Sequence, residues 1–226
     1  LHPIYMAPWS VVIDDTPVIH DFKASLRTHC SGRDLRQYWD KKNRFAGRSS
    51  ADIDWDSQHT AIQSISRRRE YVKHASGHFS TGKMMKRWKK RDTAECPRCH
   101  ASVEDATHVI RCPHPTATEL WHIDMDKLEK WLDEKNTNPI ITSTIISRLN
   151  AWRDDRPLPA RRSFSGIIHD AVTLQDLIGW ESAFTGCWAV GWAQAQQHYY
   201  HTKRMQRTGR RWLSELIKKL WQVSWD

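Results

Sequence analysis

The chain has 226 residues and a formal net charge of +9 at neutral pH. Its hydrophobic content of 39%, its mean hydropathy of −0.72 and the lack of any apolar run of bilayer length argue against a membrane span, and the length leaves room for one large or two small domains. Five cysteines are an odd number, no secretory leader is visible, and a chain of this size builds a core without staples, so free thiols in a reducing, intracellular compartment (nucleus or cytoplasm) are expected rather than disulfides.

In chain order, Pro3, Pro8 and Pro17 forbid a helix in residues 1–20, and Val11-Val12-Ile13 favours a short strand or hairpin. Leu1 is not a natural start. Asp14-Asp15 after that apolar run resembles the way polymerase palms place metal-binding carboxylates, but the partner aspartate such a site needs has too little chain before it, and a turn ahead of Pro17 accounts for the pair. Phe22, Leu26, Leu35, Tyr38 and Trp39 fit a broken helical pair around Gly32, so residues 1–53 read as a connecting segment. Trp55, Ile62, Ile65 and Val72 then predict one longer helix from about Asp54 to His74.

The charge surplus has a location. Residues 67–91 carry Arg67, Arg68, Arg69, Lys73, Lys83, Lys86, Arg87, Lys89, Lys90 and Arg91 against the single acid Glu70, so this segment holds the whole surplus and the remainder of the chain balances. A surplus confined to one segment points to a polyanion-binding surface for RNA or DNA. Gly77 and Gly82 bracket a short linker within it, and Met84, Met85 and Trp88 supply apolar anchors.

Directly after this run, Cys96, Cys99, His108 and Cys112 form C-x2-C-x8-H-x3-C, a spacing at which four soft ligands close tetrahedrally on one zinc ion. Pro97 sits where a tight turn must bring the first two sulfurs to one side. Three thiolates and a neutral imidazole leave the loaded site with a net charge of about −1, which basic neighbours favour. His100 and His114 are alternative donors that preserve the two-plus-two clip less well. With all four positions filled by protein the site is structural, because catalytic zinc keeps one position for water. The intervening loop has no aromatic residue and carries Glu104 and Asp105, unlike knuckles that stack unpaired bases, so the clip reads as a brace for the basic segment.

Trp121, Met125, Leu128 and Leu132 mark one helix; Pro139 behind Asn138 opens a second with Ile141, Ile145, Leu149 and Trp152 on one face, and the two are expected to form an antiparallel hairpin. Residues 153–166, with Pro157 and Pro159 and alternating charge, are the linker candidate. Beyond them Trp180, Phe184, Trp188 and Trp192 recur every four residues and predict one long helix ending near Gly209, with Gly179, Gly186 and Gly191 permitting close approach of a neighbour. Trp212, Leu216, Leu220 and the Ile217/Trp221/Trp225 set form an amphipathic last helix that reaches Asp226 without a cap, as expected of a chain cut inside a helix. The thirteen tryptophans are assigned to core and helix contacts rather than to a stacking surface.

No P-loop, GxSxG, HExxH or separated carboxylate set is present. Arg27, His29, Arg33 and Tyr38 lie too close together in sequence to span a tyrosine-recombinase active site. No catalytic set is visible in this chain.

The segment RRREYVKHASGHFSTGKMMKRWKKRDTAECPRCHASVEDATHVIRCP resembles the zinc-binding tail found downstream of the polymerase in retrotransposon-type reverse transcriptase polyproteins. The matching elements are Tyr71, Lys73, His74 and Gly77, then Gly82, the CPRC clip, Glu104 ahead of His108-Val109, and Cys112-Pro113, followed by Trp121 and the Leu-x-x-Trp-Leu helix ending at Leu132. The likeness covers residues 55–155 well and the tryptophan-rich remainder loosely. It implies that Cys96, Cys99, His108 and Cys112 ligate zinc, and that catalysis belongs to an upstream polymerase domain of the same polyprotein. The expected architecture is mainly α: residues 1–53 connecting, residues 54–155 with basic helix, CCHC zinc knuckle and helical hairpin, and residues 166–226 a tryptophan-rich helical region. The expected function is a zinc-braced region that holds nucleic-acid phosphates; a zinc-stabilised helical protein-interaction scaffold and a fragment of an incomplete polymerase or recombinase are the alternatives.

Overall fold

The computed structural model describes residues 11–13, 16–18, 50–65, 68–75, 78–101, 103–160 and 166–225. The chain divides into two compact units, Leu1–Ser50 and Ala51–Asp226. In the first, β1 (Val11–Ile13) and β2 (Thr16–Val18) pair antiparallel, with Val11 opposite Val18 and Ile13 opposite Thr16, as the sequence led us to expect of this stretch. Asp14, Asp15, Cys30 and the helical pair predicted around Gly32 lie outside the described residues.

The second unit is helical. It contains α1 (Trp55–Gln63), α2 (Arg68–Ala75), α3 (Gly82–Arg87), α4 (Ala106–Arg111), α5 (Pro115–Glu134), α6 (Pro139–Arg153), α7 (Gly166–Ile178), α8 (Gly191–Thr202) and α9 (Gly209–Trp225). Among the described residues no helix is long and apolar enough to cross a membrane.

The single helix expected from Asp54 to His74 is two. Asp54 caps α1 by accepting the Ser57 N–H at 2.9 Å, but Ser64 ends it: its N–H turns back to the Thr60 and Ala61 carbonyls and its hydroxyl donates to the Ala61 carbonyl at 2.8 Å. A serine that satisfies local backbone acceptors in this way competes with helix propagation, and hydrophobic periodicity does not register it.

α5 and α6 form the expected antiparallel hairpin. Pro115 and Pro139 each open a helix at its first turn, where a missing N–H costs nothing, and His114 and Asn138 cap them. Trp121, Met125, Leu128 and Leu132 face Ile141, Ile145 and Leu149 in the core. The Trp121 indole N–H donates to Asn150 Oδ1 at 2.7 Å, which ties the start of α5 to the end of α6.

The long helix expected through Trp180, Phe184, Trp188 and Trp192 is interrupted. A 3-10 turn spans Trp180–Thr185, bounded by Gly179 (φ 93°) and Gly186 (φ 80°), and residues 187–190 are non-helical, ending in a turn at Val190 before α8 begins at Gly191. Ala189 pairs with Ile53 in an isolated bridge, and Asp54 N–H reaches the Trp188 carbonyl at 2.8 Å. The break is stabilised by the buried side chain of Gln175, whose oxygen accepts from Ala189 N–H (2.9 Å) and the Trp192 indole (3.3 Å) while its amide donates to the Cys187 and Gly179 carbonyls. Three of its four bonds satisfy backbone groups that a continuous helix would have paired internally, and the fourth takes the Trp192 indole N–H. Gly186 is required for space as well as for its positive φ: a Cβ there would come within 2.7 Å of the Tyr71 hydroxyl. Trp180, Trp188 and Trp192 still converge, edge to face, with centroids 6.0 to 6.2 Å apart.

α9 runs through the middle of this unit and touches α1, α5, α8 and the 3-10 turn. Its Trp212, Leu213, Leu216, Ile217, Leu220 and Trp221 are buried. The segments on either side of residues 153–166 share this core: Trp152 lies against Phe184, Trp212 donates to Thr137 at 2.9 Å, and buried Arg148 pairs with Asp176 while also donating to the Pro159 carbonyl. Residues 54–155 and 166–225 are therefore packed together within Ala51–Asp226, the apolar faces of the hairpin and of α9 burying one another.

Candidate metal centre and basic segment

Cys96, Cys99, His108 and Cys112 come together, with one ligand atom from each within 4.8 Å of every other. Cys96 Sγ stands 3.9 Å from Cys112 Sγ, and Cys99 Sγ stands 3.2 Å from His108 Nε2. Donors bound tetrahedrally at about 2.0 to 2.3 Å from one ion are separated by about 3.3 to 3.8 Å. The two quoted separations lie just either side of that range, and the cluster could hold a metal ion.

Each donor is placed by local chemistry. Pro97, Arg98 and Cys99 form a turn closed by His100 N–H on the Cys96 carbonyl at 2.9 Å, with His100 at φ 58°. Asp105 caps α4 by accepting the His108 N–H at 2.9 Å, so the carboxylate that starts the short helix also orients its imidazole-bearing residue. Cys112 follows directly after α4, and its carbonyl accepts from Arg153, whose guanidinium also reaches Thr118 and lies 5.5 Å from the Trp121 ring centre. Arg153 therefore fastens the cluster to the α5–α6 hairpin. The alternative donors stay outside: His100 faces Glu95 at 3.5 Å, and His114 Nδ1 accepts from Thr116 N–H.

The thiols are unequal. Burial alone would raise Cys96, but the backbone N–H groups of Cys99 and Arg98, together with the His108 and Cys99 side chains, bring it down to about 6. Burial raises Cys112, and proximity to Cys96 adds to the effect. One thiolate beside a neighbouring thiol that resists ionisation is an arrangement that a cation relieves, since it replaces the proton and neutralises both sulfurs.

The basic residues separate into two pieces. Arg67 and the Arg68 side chain lie outside the described residues; Arg69 and Lys73 are exposed on α2. That helix is anchored in the tryptophan-rich core by Tyr71 and His74. The Tyr71 hydroxyl donates to the Thr185 carbonyl at 3.1 Å, and His74 Nε2 meets the Phe184 carbonyl at 2.9 Å.

The second piece, α3 and its following turn, is attached to the cluster. Gly82 N–H donates to Glu104 Oε2 at 2.7 Å, Lys83 N–H to the Glu104 carbonyl, and Glu104 N–H to the Ala94 carbonyl. A Cβ at Gly82 would fall 2.7 Å from that Ala94 oxygen, so only glycine lets α3 dock this closely. Thr81 caps the helix, and Met84 beneath it is buried. Lys83, Lys86, Arg87, Lys89 and Lys90 are all exposed, without a carboxylate partner among the described residues. Arg91 differs: it is half-buried, donates to the Glu95 carbonyl at 2.8 Å and faces Glu104 at 3.6 Å, so its guanidinium belongs to the joint between helix and cluster.

Sequence reasoning did not anticipate Glu104 as that joint or Arg153 as the fastening; an acid inside a basic stretch and an arginine ending an apolar helix face were the available signals. Nor did it single out residues 203–211, where Lys203, Arg204, Arg207, Arg210 and Arg211 occur without an acid. They flank an open cavity of about 430 Å³ lined by His198, His201, Thr208 and Arg210 among others. Of these cations Arg210 pairs with Asp56 and Arg211 with Glu215, which leaves the patch less positive than its sequence. No family model, curated protein or solved structure matches this chain.

Proposed function

We propose that the chain is a zinc-braced nucleic-acid-binding accessory region of a retroelement reverse transcriptase polyprotein, in which residues 78–112 present a cationic helix to RNA or DNA phosphates. The observation that carries this reading is the direct joint between cluster and helix: the Gly82 and Lys83 N–H groups end on Glu104 within the clip, while five cations of the same helix and turn remain exposed. Zinc is the ion that three thiolates and one imidazole select, being four-coordinate, borderline-soft and without redox chemistry. Cys96, Cys99, His108 and Cys112 would hold it, and it would supply folding free energy rather than reactivity. Phosphate binding of this kind positions a strand without reading its sequence. Chemistry would come from the upstream polymerase domain of the polyprotein. The protein-scaffold alternative, which needed the tryptophan stripe as a docking surface, is disfavoured because Trp180, Trp188, Trp192, Trp212 and Trp221 are all buried.

The test is a salt titration of DNA and RNA binding by the parent and by a variant carrying Lys86→Gln, Arg87→Gln, Lys89→Gln and Lys90→Gln. The slope of log affinity against log salt should fall by about 0.7 to 0.9 for each phosphate that the variant no longer neutralises, similarly for unrelated sequences, with metal content and helical signal unchanged. A variant that binds as well as the parent at every salt concentration would overturn the reading.

A further inference from the structure

Among the described residues whose exposure is defined, tryptophans are buried or half-buried with one exception. Trp88 is 37% exposed, and it stands in the middle of the unpaired cations. An exposed indole loses the stabilisation that burying its large apolar surface would supply, and six other tryptophans of this chain, Trp121, Trp180, Trp188, Trp192, Trp212 and Trp221, are buried. The indole has no hydrogen bond and no ring partner among the described residues.

Its mounting is rigid. Trp88 caps the C-terminal end of α3, where its own N–H bonds to the Met84 carbonyl, Lys89 N–H to the Lys86 carbonyl and Lys90 N–H to the Met85 carbonyl, each at 2.9 Å. Lys89 takes φ 57°, which closes the helix in a tight turn and places Arg87 and Lys89 immediately on either side of the ring in sequence, with Lys90 next. At the other end Thr81 and Glu104 hold the helix start, and buried Met84 fixes the face opposite the solvent. The backbone carrying the ring is therefore held from both ends before any ligand arrives, and little ordering entropy remains to oppose binding.

We infer that Trp88 is a stacking platform for an unpaired nucleobase, and that the surface formed by α3 and its turn prefers single-stranded over duplex nucleic acid. The inference rests on the polyanion reading of the same surface. A flat π-face on a held backbone, with exposed cations adjacent in sequence, matches a single strand, whose phosphates lie beside bases free to leave their stack. A duplex meets the cations equally well but keeps its base faces inside the helix. Stacking is tolerant of base identity, so the preference is for strandedness and not for sequence.

The experiment compares Trp88→Ala and Trp88→Phe with the full parent chain on three probes: an unstructured single-stranded DNA oligonucleotide, the RNA of the same sequence, and a duplex hairpin whose open end is closed by a second loop, so that no terminal base pair offers a stacking face. Truncating an exposed ring leaves no core cavity, and metal content and helical signal serve as the folding control. Trp88→Ala should bind the single strands about 5- to 150-fold more weakly, the range that alanine substitution produces at stacking aromatics. It should bind the closed duplex as the parent does, with the salt slope unchanged on every probe, and Trp88→Phe should recover most of the single-strand affinity. Equal weakening on single strand and duplex, or no weakening on either while the parent keeps a steep salt slope, overturns the stacking platform and leaves phosphate binding in place. A parent chain that binds none of the probes with a salt-dependent affinity overturns both.

Discussion

Residues 78–112 and residues 166–225 are held together by different physics. The second region buries Trp180, Trp188, Trp192, Trp212 and Trp221 with Phe184, Leu213, Leu216 and Leu220, a core that stabilises itself by removing apolar surface from water. The cluster region has almost none of this. Its apolar groups are Met84 beneath α3 and Cys96 with Cys112, against which Cys99, Ala101 and Ala117 of α5 pack, and α4 buries no residue at all. A segment that short, with so little apolar surface, does not offset the entropy of ordering its backbone unless something else contributes. A structural metal held by the cluster would be that contribution, and the contrast predicts that the two regions fail independently.

The largest expected effect follows from removing the metal or one of its donors. Metal ligation contributes on the order of 10 kcal/mol to the folding of such a module, so Cys99→Ser or treatment with a strong chelator should abolish metal binding and release residues 78–112. Metal analysis of the parent should give close to one zinc per chain. Hydrogen exchange should show α3, α4 and the clip unprotected while α8 and α9 keep their protection. Full metal retention in Cys99→Ser would mean that the cluster is not a structural metal site, and simultaneous loss of protection in α9 would mean that the two regions are one cooperative unit.

The converse change is Trp188→Ala. Trp188 is fully buried among Trp180 and Trp192, and its indole donates to the Ala183 carbonyl at 3.2 Å. Truncation should cost about 3 to 5 kcal/mol, read as a lowered denaturation midpoint, through reduced burial and the cavity left behind. Metal stoichiometry and the salt slope of nucleic-acid binding should not move in protein that remains folded. If zinc were lost in step with this core, the region around the cluster would depend on tryptophan packing and not on its ligands.

The same contrast separates what the sequence made legible from what it did not. Ligand spacing is a local code, so the four donors could be read directly, and so could the α5–α6 hairpin, whose proline and asparagine punctuation agrees with its apolar period. The break between Trp180 and Trp192 was hidden because four-residue spacing describes which side chains converge, and a 3-10 turn followed by a short non-helical link brings the same rings together. What decides between the two is Gln175, one helix end away from the groups it satisfies and outside the four-residue period, together with the close approach of Tyr71 to Gly186. The joint at Glu104 was hidden for a similar reason: its partners Gly82 and Arg91 precede the clip and meet it only in three dimensions. Arg91, counted with the phosphate-binding cations on charge alone, lies in that joint.

The smallest effect concerns pH, and it sharpens the boundary between the two regions because His74 carries α2 onto the tryptophan-rich core. Burial lowers its ionisation below the ordinary value of 6.5, opposed in part by the Phe184 carbonyl that accepts its Nε2–H. Since the folded value lies below the unfolded one, the unfolded chain takes up the proton first as pH falls. The stability associated with neutral His74 is fully present above about pH 6.5 and is lost as pH drops towards the folded value, at no more than about 1.4 kcal/mol per pH unit for one proton. His74→Gln keeps a donor for Phe184 but cannot titrate, so the difference in unfolding free energy between parent and variant should be constant above pH 7 and shift in the variant's favour below 6.5. Metal release at low pH acts equally on both proteins and cancels in that difference. A difference that stays flat down to pH 5 would mean that His74 accepts its proton in place, with the Phe184 carbonyl and the surrounding groups stabilising the imidazolium as well as water does.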